Sequence, residues 1–247
     1  MTRFVGPEES IDLMEIMQHP SPNFDDRPAP GRIGYVILHY TGMPTADEAL
    51  ARLVDPTAKV SAHYLIAEDG KIQQLVDESK RAWHAGQSFW QDITHLNDTS
   101  IGIELVNPGH QWGYRPFPHP QITACAALVR GIMIRHDIPS PHILGHSDIA
   151  PDRKEDPGEL FPWQELARQG IGVWRQDIAP YATTDIATVR ALLRKIGYAC
   201  SDGKDYDREL RLCLLAFQRH WYPENLSGLP DDQTVARLHA YASAIML

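Results

Sequence analysis

The chain of 247 residues is long enough for one large domain, or for one medium and one small domain. Hydrophobic residues make up 43% and charged residues 22%, and the formal net charge of −9 argues against nucleic acid as the main partner, because phosphate binding needs a basic face. No apolar run is long enough to cross a membrane, so no membrane partner is expected.

The first thirty residues are rich in proline and polar residues, which predicts an extended lead-in. They show neither the basic-then-apolar pattern of a signal peptide nor a cysteine for lipid attachment, so we expect a cytoplasmic protein. The alternative is a periplasmic protein whose signal peptide has been removed. Cys125, Cys200 and Cys213 lie in predicted helices without metal-type spacing and are expected to be buried thiols.

Patterns of apolar residues predict the elements of a first domain. In chain order these are a buried strand at 34–40, a helix at 45–53, a hairpin at 61–76 that turns at Asp69-Gly70, a strand at 100–107 and a helix at 121–136. Strands mixed with helices predict an α/β fold with a mixed central sheet flanked by helices. We expect this domain to span residues 1–175.

A second domain is predicted at 184–247, where the apolar pattern becomes helical only. The segments 187–198 and 207–222 each place apolar residues on one face, and a third helix is expected to open at Pro230. Three short helices predict a small separate bundle.

Two histidines and an aspartate are candidate metal ligands. His39 closes the first predicted strand, His146 opens the stretch GHSDIAPDRKEDPG at 145–158, and Asp156 follows in that stretch. Two imidazoles and one carboxylate, with a fourth position left for water, are the donor set of a catalytic zinc site. The alternative is that His39 is a hydrogen-bonded core residue and His146 caps a loop.

Two further residues are candidates for catalysis. Glu104 lies in an apolar strand on the face opposite to Ile101, Ile103 and Leu105, where a carboxylate needs a partner or a cleft. Burial would raise its pKa toward the range of a general base, although an ion-paired sheet residue is an open alternative. Lys154 precedes Asp156 by two residues and could stabilise an oxyanion, or could simply be solvated.

Five stretches together resemble a known family. They are, in order, ILHYTG, SAHYLIAEDGKI, RAWHAGQSFW, NDTSIGIELVN and GHSDIAPDRKEDPG. Over about residues 18–174 the chain resembles the zinc-dependent N-acetylmuramoyl-L-alanine amidases of the type 2 amidase family. Aspartate as the third ligand is similar to the AmpD and AmiD branches, whereas the peptidoglycan recognition proteins carry cysteine there.

The resemblance implies roles for individual residues. It implies one Zn²⁺ per chain held by His39, His146 and Asp156, with Glu104 as the catalytic glutamate and Lys154 as the lysine that stabilises the transition state. Residues in motifs that line the family's substrate groove are His63, Tyr64, Trp83, His84 and Asn97.

The implied reaction is hydrolysis of the amide between the lactyl group of (anhydro-)N-acetylmuramic acid and L-alanine of the stem peptide, in peptidoglycan recycling or turnover. The expected partners are peptidoglycan fragments or muropeptides, and the expected state is a monomer. Two alternatives are a non-catalytic peptidoglycan-binding or sensing protein and a zinc peptidase that cuts within the stem peptide.

The C-terminal helices resemble a three-helix peptidoglycan-binding domain. The resemblance rests on V-x-x-L-L-x-x-I-G-Y at 189–198, A-F-Q at 216–218 and D-x-x-T at 231–234. It implies binding to glycan or muropeptide, while the alternative is that the bundle only packs against the catalytic domain.

Overall fold

The structure is a computed structural model that describes residues 15–29, 31–175, 178 and 185–244. Its strands are β1 (Ile16–Gln18), β2 (Phe24–Asp26), β3 (Tyr35–Tyr40), β4 (Tyr64–Ile66), β5 (Ile72–Gln74), β6 (Lys80–Ala82), β7 (Ser100–Leu105) and β8 (Ile143–Gly145). Its α-helices are α1 (Ala46–Val54), α2 (Gly109–Trp112), α3 (His119–His136), α4 (His146–Ile149), α5 (Trp163–Arg168), α6 (Ile186–Ile196), α7 (Arg208–Trp221) and α8 (Asp232–Ala244).

Six strands form one mixed sheet in the order β1-β5-β4-β7-β3-β8. β4 and β5 run antiparallel, whereas β1 with β5, β4 with β7 and β3 with β7 pair in parallel. β2 and β6 form a separate antiparallel pair. The predicted mixed sheet flanked by helices is confirmed.

The two long strands at the centre are buried on both faces. Val36, Ile37 and Leu38 of β3 have no exposed surface, and neither have Ile101 and Ile103 of β7. A parallel strand with covered faces reads as a continuous apolar run, and for that reason the sequence predicts both strands.

The hairpin between β4 and β5 turns as predicted at Asp69-Gly70. The Gly70 N–H donates to the carbonyl of Ala67 at 2.9 Å, and the Gly70 φ of +88° is accessible mainly to glycine. A β-carbon there would lie 2.8 Å from the carbonyl oxygen of Pro120. Glycine is therefore needed both for the turn and for its close approach to the start of α3.

Helix α3 is joined to the sheet through a buried amide. Gln121 donates from Nε2 to the carbonyls of Ile66 and Val106, at 2.9 and 3.0 Å, and so bonds to the ends of two strands. The helix ends at Asp137, which has a left-handed φ of 52°.

The segment before residue 30 is more than an extended lead-in. Its described part supplies β1 and β2, which pair with β5 and β6. Arg27 then donates to the backbone carbonyls of Glu78, Asn97, Asp98 and Ser100, at 2.8–3.1 Å. Residues 1–14 of the predicted lead-in lie outside the described residues.

Backbone contacts divide the described chain into two compact units. One comprises the described residues up to His84 together with Asn97–Ile143, and the other comprises Ala85–Leu96 together with the described residues from Leu144 onward. The predicted domain boundary between 175 and 184 falls almost wholly on residues outside the described ones. It stays a prediction.

The second unit contains the three predicted C-terminal helices, α6, α7 and α8. Asp185 and Asp207 cap α6 and α7 by accepting the N–H groups of Thr188 and Leu210, at 3.0 and 2.9 Å. The third helix begins at Asp232, two residues after the predicted Pro230, and residues 245–247 of the predicted domain lie outside the described residues.

The A-F-Q and D-x-x-T motifs meet around one buried side chain. Gln218 has no exposed surface; it donates to Thr234 Oγ1 at 3.0 Å and to the Leu229 carbonyl at 3.1 Å. Its oxygen accepts the Gly228 N–H at 2.8 Å, and Asp231 caps α8 through the Thr234 N–H. Both motifs thus have a structural function within the bundle.

Within the second unit, Tyr198, which follows α6, and His220 of α7 are bonded to the stretch 145–158. The buried carboxylate of Asp148 accepts from Tyr198 Oη at 2.6 Å and is paired with His220 Nδ1 at 2.7 Å. The His220 ring is stacked between the rings of Trp163 and Trp221, with centroid distances of 3.7 and 3.8 Å.

The three cysteines are buried free thiols, as predicted. Among the described residues, no helix is both long and apolar enough to cross a membrane.

Candidate active site

Three buried side chains converge at the candidate site. One ligand atom each of His39, His146 and Asp156 lies within 4.8 Å of the ligand atoms of the other two. His39 is in β3, and His146 begins α4 directly after β8. The structure therefore brings together the three residues that the sequence singled out as metal ligands.

The His146 ring is fixed by hydrogen bonding. Its Nε2 lies 3.1 Å from the carbonyl oxygen of Ala85, and because a carbonyl can only accept, Nε2 carries the proton. In a neutral ring the Nδ1 lone pair then faces Oδ2 of Asp156, 3.0 Å away. Two electron-rich atoms this close need a proton or a metal ion beside them.

These residues fit a zinc ion. Zinc takes imidazole nitrogen and carboxylate oxygen at about 2.0–2.2 Å in tetrahedral sites, so two of its ligand atoms lie about 3.3 Å apart. The separation of 3.0 Å between His146 Nδ1 and Asp156 Oδ2 is close to this distance. The Ala85 carbonyl fixes the His146 tautomer in the way that outer hydrogen bonds usually fix metal-binding histidines.

Glu104 lies next to His39 in the sheet. The parallel register of β3 and β7 pairs these two residues directly, and paired residues of neighbouring strands point to the same face at a strand spacing of about 4.8 Å. Glu104 is partly exposed, whereas Ile103 and Leu105 on either side of it are buried. Its side chain is thus on the same face as His39, and its Oε2 atom is buried.

The loop that carries Lys154 is held by its backbone. The N–H groups of Arg153 and Lys154 both donate to the Ala150 carbonyl, at 3.2 and 3.0 Å, and the Ser147 N–H donates to the Asp156 carbonyl at 2.8 Å. Lys154 itself is partly exposed. The loop therefore presents this ammonium group from a fixed backbone.

Arg153 contributes to the site in a way that the sequence did not predict. Its guanidinium donates to the carbonyls of Gln87 and Ala85, and the Ala85 carbonyl also accepts from His146. The signal was weak, since a charged loop residue next to Lys154 is more often only solvated. Arg153 supports the carbonyl that orients a ligand.

Comparisons with known proteins show the family of the chain. A family model described as N-acetylmuramoyl-L-alanine amidase matches residues 29–159. The chain belongs to this family. The amidase is 42% identical over 226 residues to the N-acetylmuramoyl-L-alanine amidase AmiD of Escherichia coli K12. The aligned region covers 83% of this chain and 80% of AmiD. It is 36% identical to the 1,6-anhydro-N-acetylmuramyl-L-alanine amidase AmpD of Haemophilus influenzae, over 62% of this chain and 90% of that relative.

Solved structures agree with the amidase over most of its length. The E. coli AmiD complex with the substrate anhydro-N-acetylmuramic acid-L-Ala-D-gamma-Glu-L-Lys has a TM-score of 0.77 at 39% identity, covering 88% of this chain and 90% of that one. The Pseudomonas aeruginosa AmpDh3 complex with anhydromuramic pentapeptide has a TM-score of 0.79 at 34% identity, covering 92% and 98%.

Two residues of the amidase that were predicted to line the substrate groove, His63 and Tyr64, are buried. His63 has no exposed surface; its Nδ1 accepts the Gly102 N–H at 2.9 Å, and its Nε2 donates to the Lys80 carbonyl at 3.0 Å. Burial lowers the pKa of His63 to about 3, so its ring is neutral at neutral pH. The buried Tyr64 hydroxyl donates to Glu78 at 2.7 Å. Their predicted contact with substrate stays a prediction.

The other three predicted groove residues of the amidase differ in exposure. Trp83 is partly exposed and donates from Nε1 to Asp25 at 2.7 Å, so its predicted contact with substrate stays a prediction. His84 and Asn97 are buried, and the Asn97 side-chain oxygen accepts the His84 N–H at 3.1 Å. Their predicted contact with substrate also stays a prediction.

Proposed function

We propose that this amidase is a zinc enzyme that hydrolyses the amide between the lactyl group of anhydro-N-acetylmuramic acid and L-alanine of the stem peptide. The observation that carries the proposal is the buried triad of His39, His146 and Asp156, with Glu104 paired to His39 in the sheet. The solved complexes of AmiD and AmpDh3 with anhydromuramyl peptides support the substrate class.

Each residue of the site has a different role in the reaction. A zinc ion on the triad would supply a Lewis acid for the carbonyl and lower the pKa of a bound water toward about 7. Glu104 accepts a proton from the water that attacks the carbonyl carbon, and delivers it to the alanine nitrogen as the C–N bond breaks. The Lys154 ammonium stabilises the negative charge that develops on the carbonyl oxygen. The products are a free lactyl carboxyl group and a free stem peptide.

The reaction is tested by mass spectrometry of the products from anhydro-N-acetylmuramic acid-L-Ala-D-gamma-Glu-L-Lys, with and without prior zinc chelation. We expect release of the intact tripeptide, loss of that release on chelation and its recovery when zinc is added back. Cleavage within the stem peptide would instead identify a peptidase. No cleavage by the zinc-loaded protein would favour a binding or sensing protein.

We also propose that soluble anhydro-muropeptides are preferred over intact peptidoglycan. The similarity to AmpD, a 1,6-anhydro-N-acetylmuramyl-L-alanine amidase, supports this preference. Parallel digestion of soluble fragments and of sacculi measures it. Faster cleavage of fragments would fit the expected cytoplasmic location, and faster cleavage of sacculi would fit the periplasm.

The glycan-binding role proposed for α6–α8 is tested by sedimentation with purified sacculi. The Glu104→Gln protein is suited to this experiment because we expect it to degrade its ligand only slowly. Retention that depends on exposed residues of α6–α8 would support the role, and no retention would leave these helices with the structural function described above. The expected monomer is checked by analytical ultracentrifugation.

A further inference from the structure

His84 is in direct contact with a predicted metal ligand. Its Nδ1 lies 3.1 Å from Nε2 of His39, and the two rings meet edge to face with their centroids 5.2 Å apart. At the other side of the ring, His84 Nε2 lies 3.2 Å from Oγ of Ser100. The ring is buried, so these polar contacts determine its orientation.

Gly102 provides the space that the His84 ring occupies. A β-carbon at this position would lie 2.3 Å from His84 Cγ. Gly102 and Glu104 point to the same face of β7, because side chains alternate along a strand. The ring therefore lies over the sheet on the face that carries Glu104 and His39.

We propose that His84 is a positioning residue for the zinc site, through a hydrogen bond that it accepts from Nε2 of His39. This inference rests on the proposed zinc function. It commits the His39 proton to Nε2 and leaves the Nδ1 lone pair for the metal. His84 Nε2 then donates to Ser100, so the two bonds run in one direction.

Ala85, the residue after His84, orients the other predicted histidine ligand, His146. The Ala85 carbonyl accepts from His146 Nε2 and leaves Nδ1 of that ring for the metal. Two consecutive residues of the A-W-H-A-G stretch thus orient both histidine ligands, one by its side chain and one by its backbone.

The test compares zinc affinity in two variants of the full chain. His84→Phe keeps a ring but has no acceptor for His39, whereas Oδ1 of His84→Asn occupies nearly the position of Nδ1. Loss of an outer hydrogen-bond partner typically costs 10–100-fold in metal affinity. We expect this loss in His84→Phe and recovery of most of the affinity in His84→Asn, measured by competition with a chromophoric chelator.

A matched control comes from the same unit. His142 stacks on Tyr35 with a centroid distance of 4.5 Å, and its Nδ1 lies 2.9 Å from the Gly34 carbonyl. His142→Phe removes a similar ring and hydrogen bond away from the ligands, so zinc affinity should stay within about twofold, by the same reasoning from outer-shell contacts. Circular dichroism verifies that each variant is folded.

A second measurement needs no variant. In the zinc-loaded wild-type protein, ¹⁵N chemical shifts should show His39 protonated at Nε2 and metal-bound at Nδ1. Metal-bound Nε2, or a folded His84→Phe protein with unchanged zinc affinity, would overturn the inference while leaving the amidase reaction intact. A wild-type protein that binds no zinc would overturn the zinc proposal itself.

Discussion

Glu104 lies beside the ligand His39 in the sheet register and is not one of the three clustered ligand residues. We therefore expect Glu104→Gln to separate catalysis from metal binding. Loss of a general acid–base group lowers turnover by about 10²–10⁴-fold, while zinc affinity should change by less than about twofold because the ligands remain. Product release and chelator competition measure the two quantities.

The control for this substitution is Glu68→Gln. Glu68 is a surface carboxylate paired with Arg115 at 2.8 Å, and its loss should leave turnover unchanged. A fully active Glu104→Gln protein would remove Glu104 from the mechanism.

Lys154 is expected to act on the transition state rather than on zinc binding. Removing one oxyanion donor costs about 2.7–4 kcal/mol of barrier, so Lys154→Ala should lower kcat by about 10²–10³-fold with little change in zinc affinity. Lys71→Ala is the control, because Lys71 pairs with Asp69 in the β4–β5 turn. Equal effects of the two substitutions on kcat would show that Lys154 has no specific role.

The lowered pKa of Glu78 predicts that the stability of the folded protein depends on pH. Its burial alone would raise its pKa, but hydrogen bonds from Arg135, His136 and Tyr64 outweigh burial and lower the pKa to about 2. The folded pKa is below the ordinary value of 4.5, so the stabilisation is present above about pH 4.5 and is lost as the pH falls toward 2.

At about 1.4 kcal/mol per pKa unit, the Glu78 contribution at neutral pH is about 3 kcal/mol. Urea unfolding of the wild-type and Glu78→Gln proteins measures it. The difference between their free energies of unfolding should shrink between pH 4.5 and 2. A difference that is constant over this range would contradict the assignment to ionised Glu78.

The sequence could identify those site residues whose polar side chains interrupt a local apolar pattern. A histidine or glutamate at a fixed place in an apolar strand stands out, and so His39 and Glu104 could be selected. The interactions of His84 and Arg153 depend on partners 45 and 68 positions away in the chain. No local pattern encodes such pairs, and the hydrogen-bond partners of both residues are therefore seen only in the structure.

At the scale of elements, helix α7 stabilises the stretch that carries His146. The buried Asp148 carboxylate pairs with His220 on α7 and accepts the Gly145 N–H at 2.8 Å. His220→Phe keeps a stacked ring but removes one partner of a buried carboxylate, which typically costs about 1–3 kcal/mol or more. We expect that loss in the free energy of unfolding.

Tyr206→Phe is the control for this prediction. It also removes one hydrogen bond of the second unit, to the Gly228 carbonyl at 2.7 Å, but from a side chain that is 40% exposed. Its effect should be smaller, within about 0.5 kcal/mol, as is usual at the surface. Equal losses in both variants would show that the Asp148–His220 pair contributes no more than a surface bond.

Length decided which elements were predictable. β3, β7 and α3 contain 6, 6 and 18 residues, enough to show an apolar run or a helical period. β1, β2 and β6 have three residues each, too few for any period, and they exist because partner strands pair with them. The sequence therefore predicted the centre of the sheet and missed the edge strand β1 and the separate β2–β6 pair.

At the scale of the whole molecule, hydrogen bonds cross both ends of the segment that matches the family model. The family model matches residues 29–159, but Arg27 bonds from outside that range to four backbone carbonyls within it. Asp148 is inside the range, while its partners Tyr198 and His220 lie beyond its end.

The position of Arg27 has a practical consequence for anyone who shortens this protein. A fragment cut at the family boundary would leave these four carbonyl oxygens without their donor Arg27. Arg27→Ala in the full chain reproduces that cut with one substitution, and its melting temperature should fall below that of Arg32→Ala, whose ion pair with Asp137 is exposed. The family match therefore shows which residues are recognisably related to other amidases. A fragment meant to fold by itself has to begin upstream of residue 27.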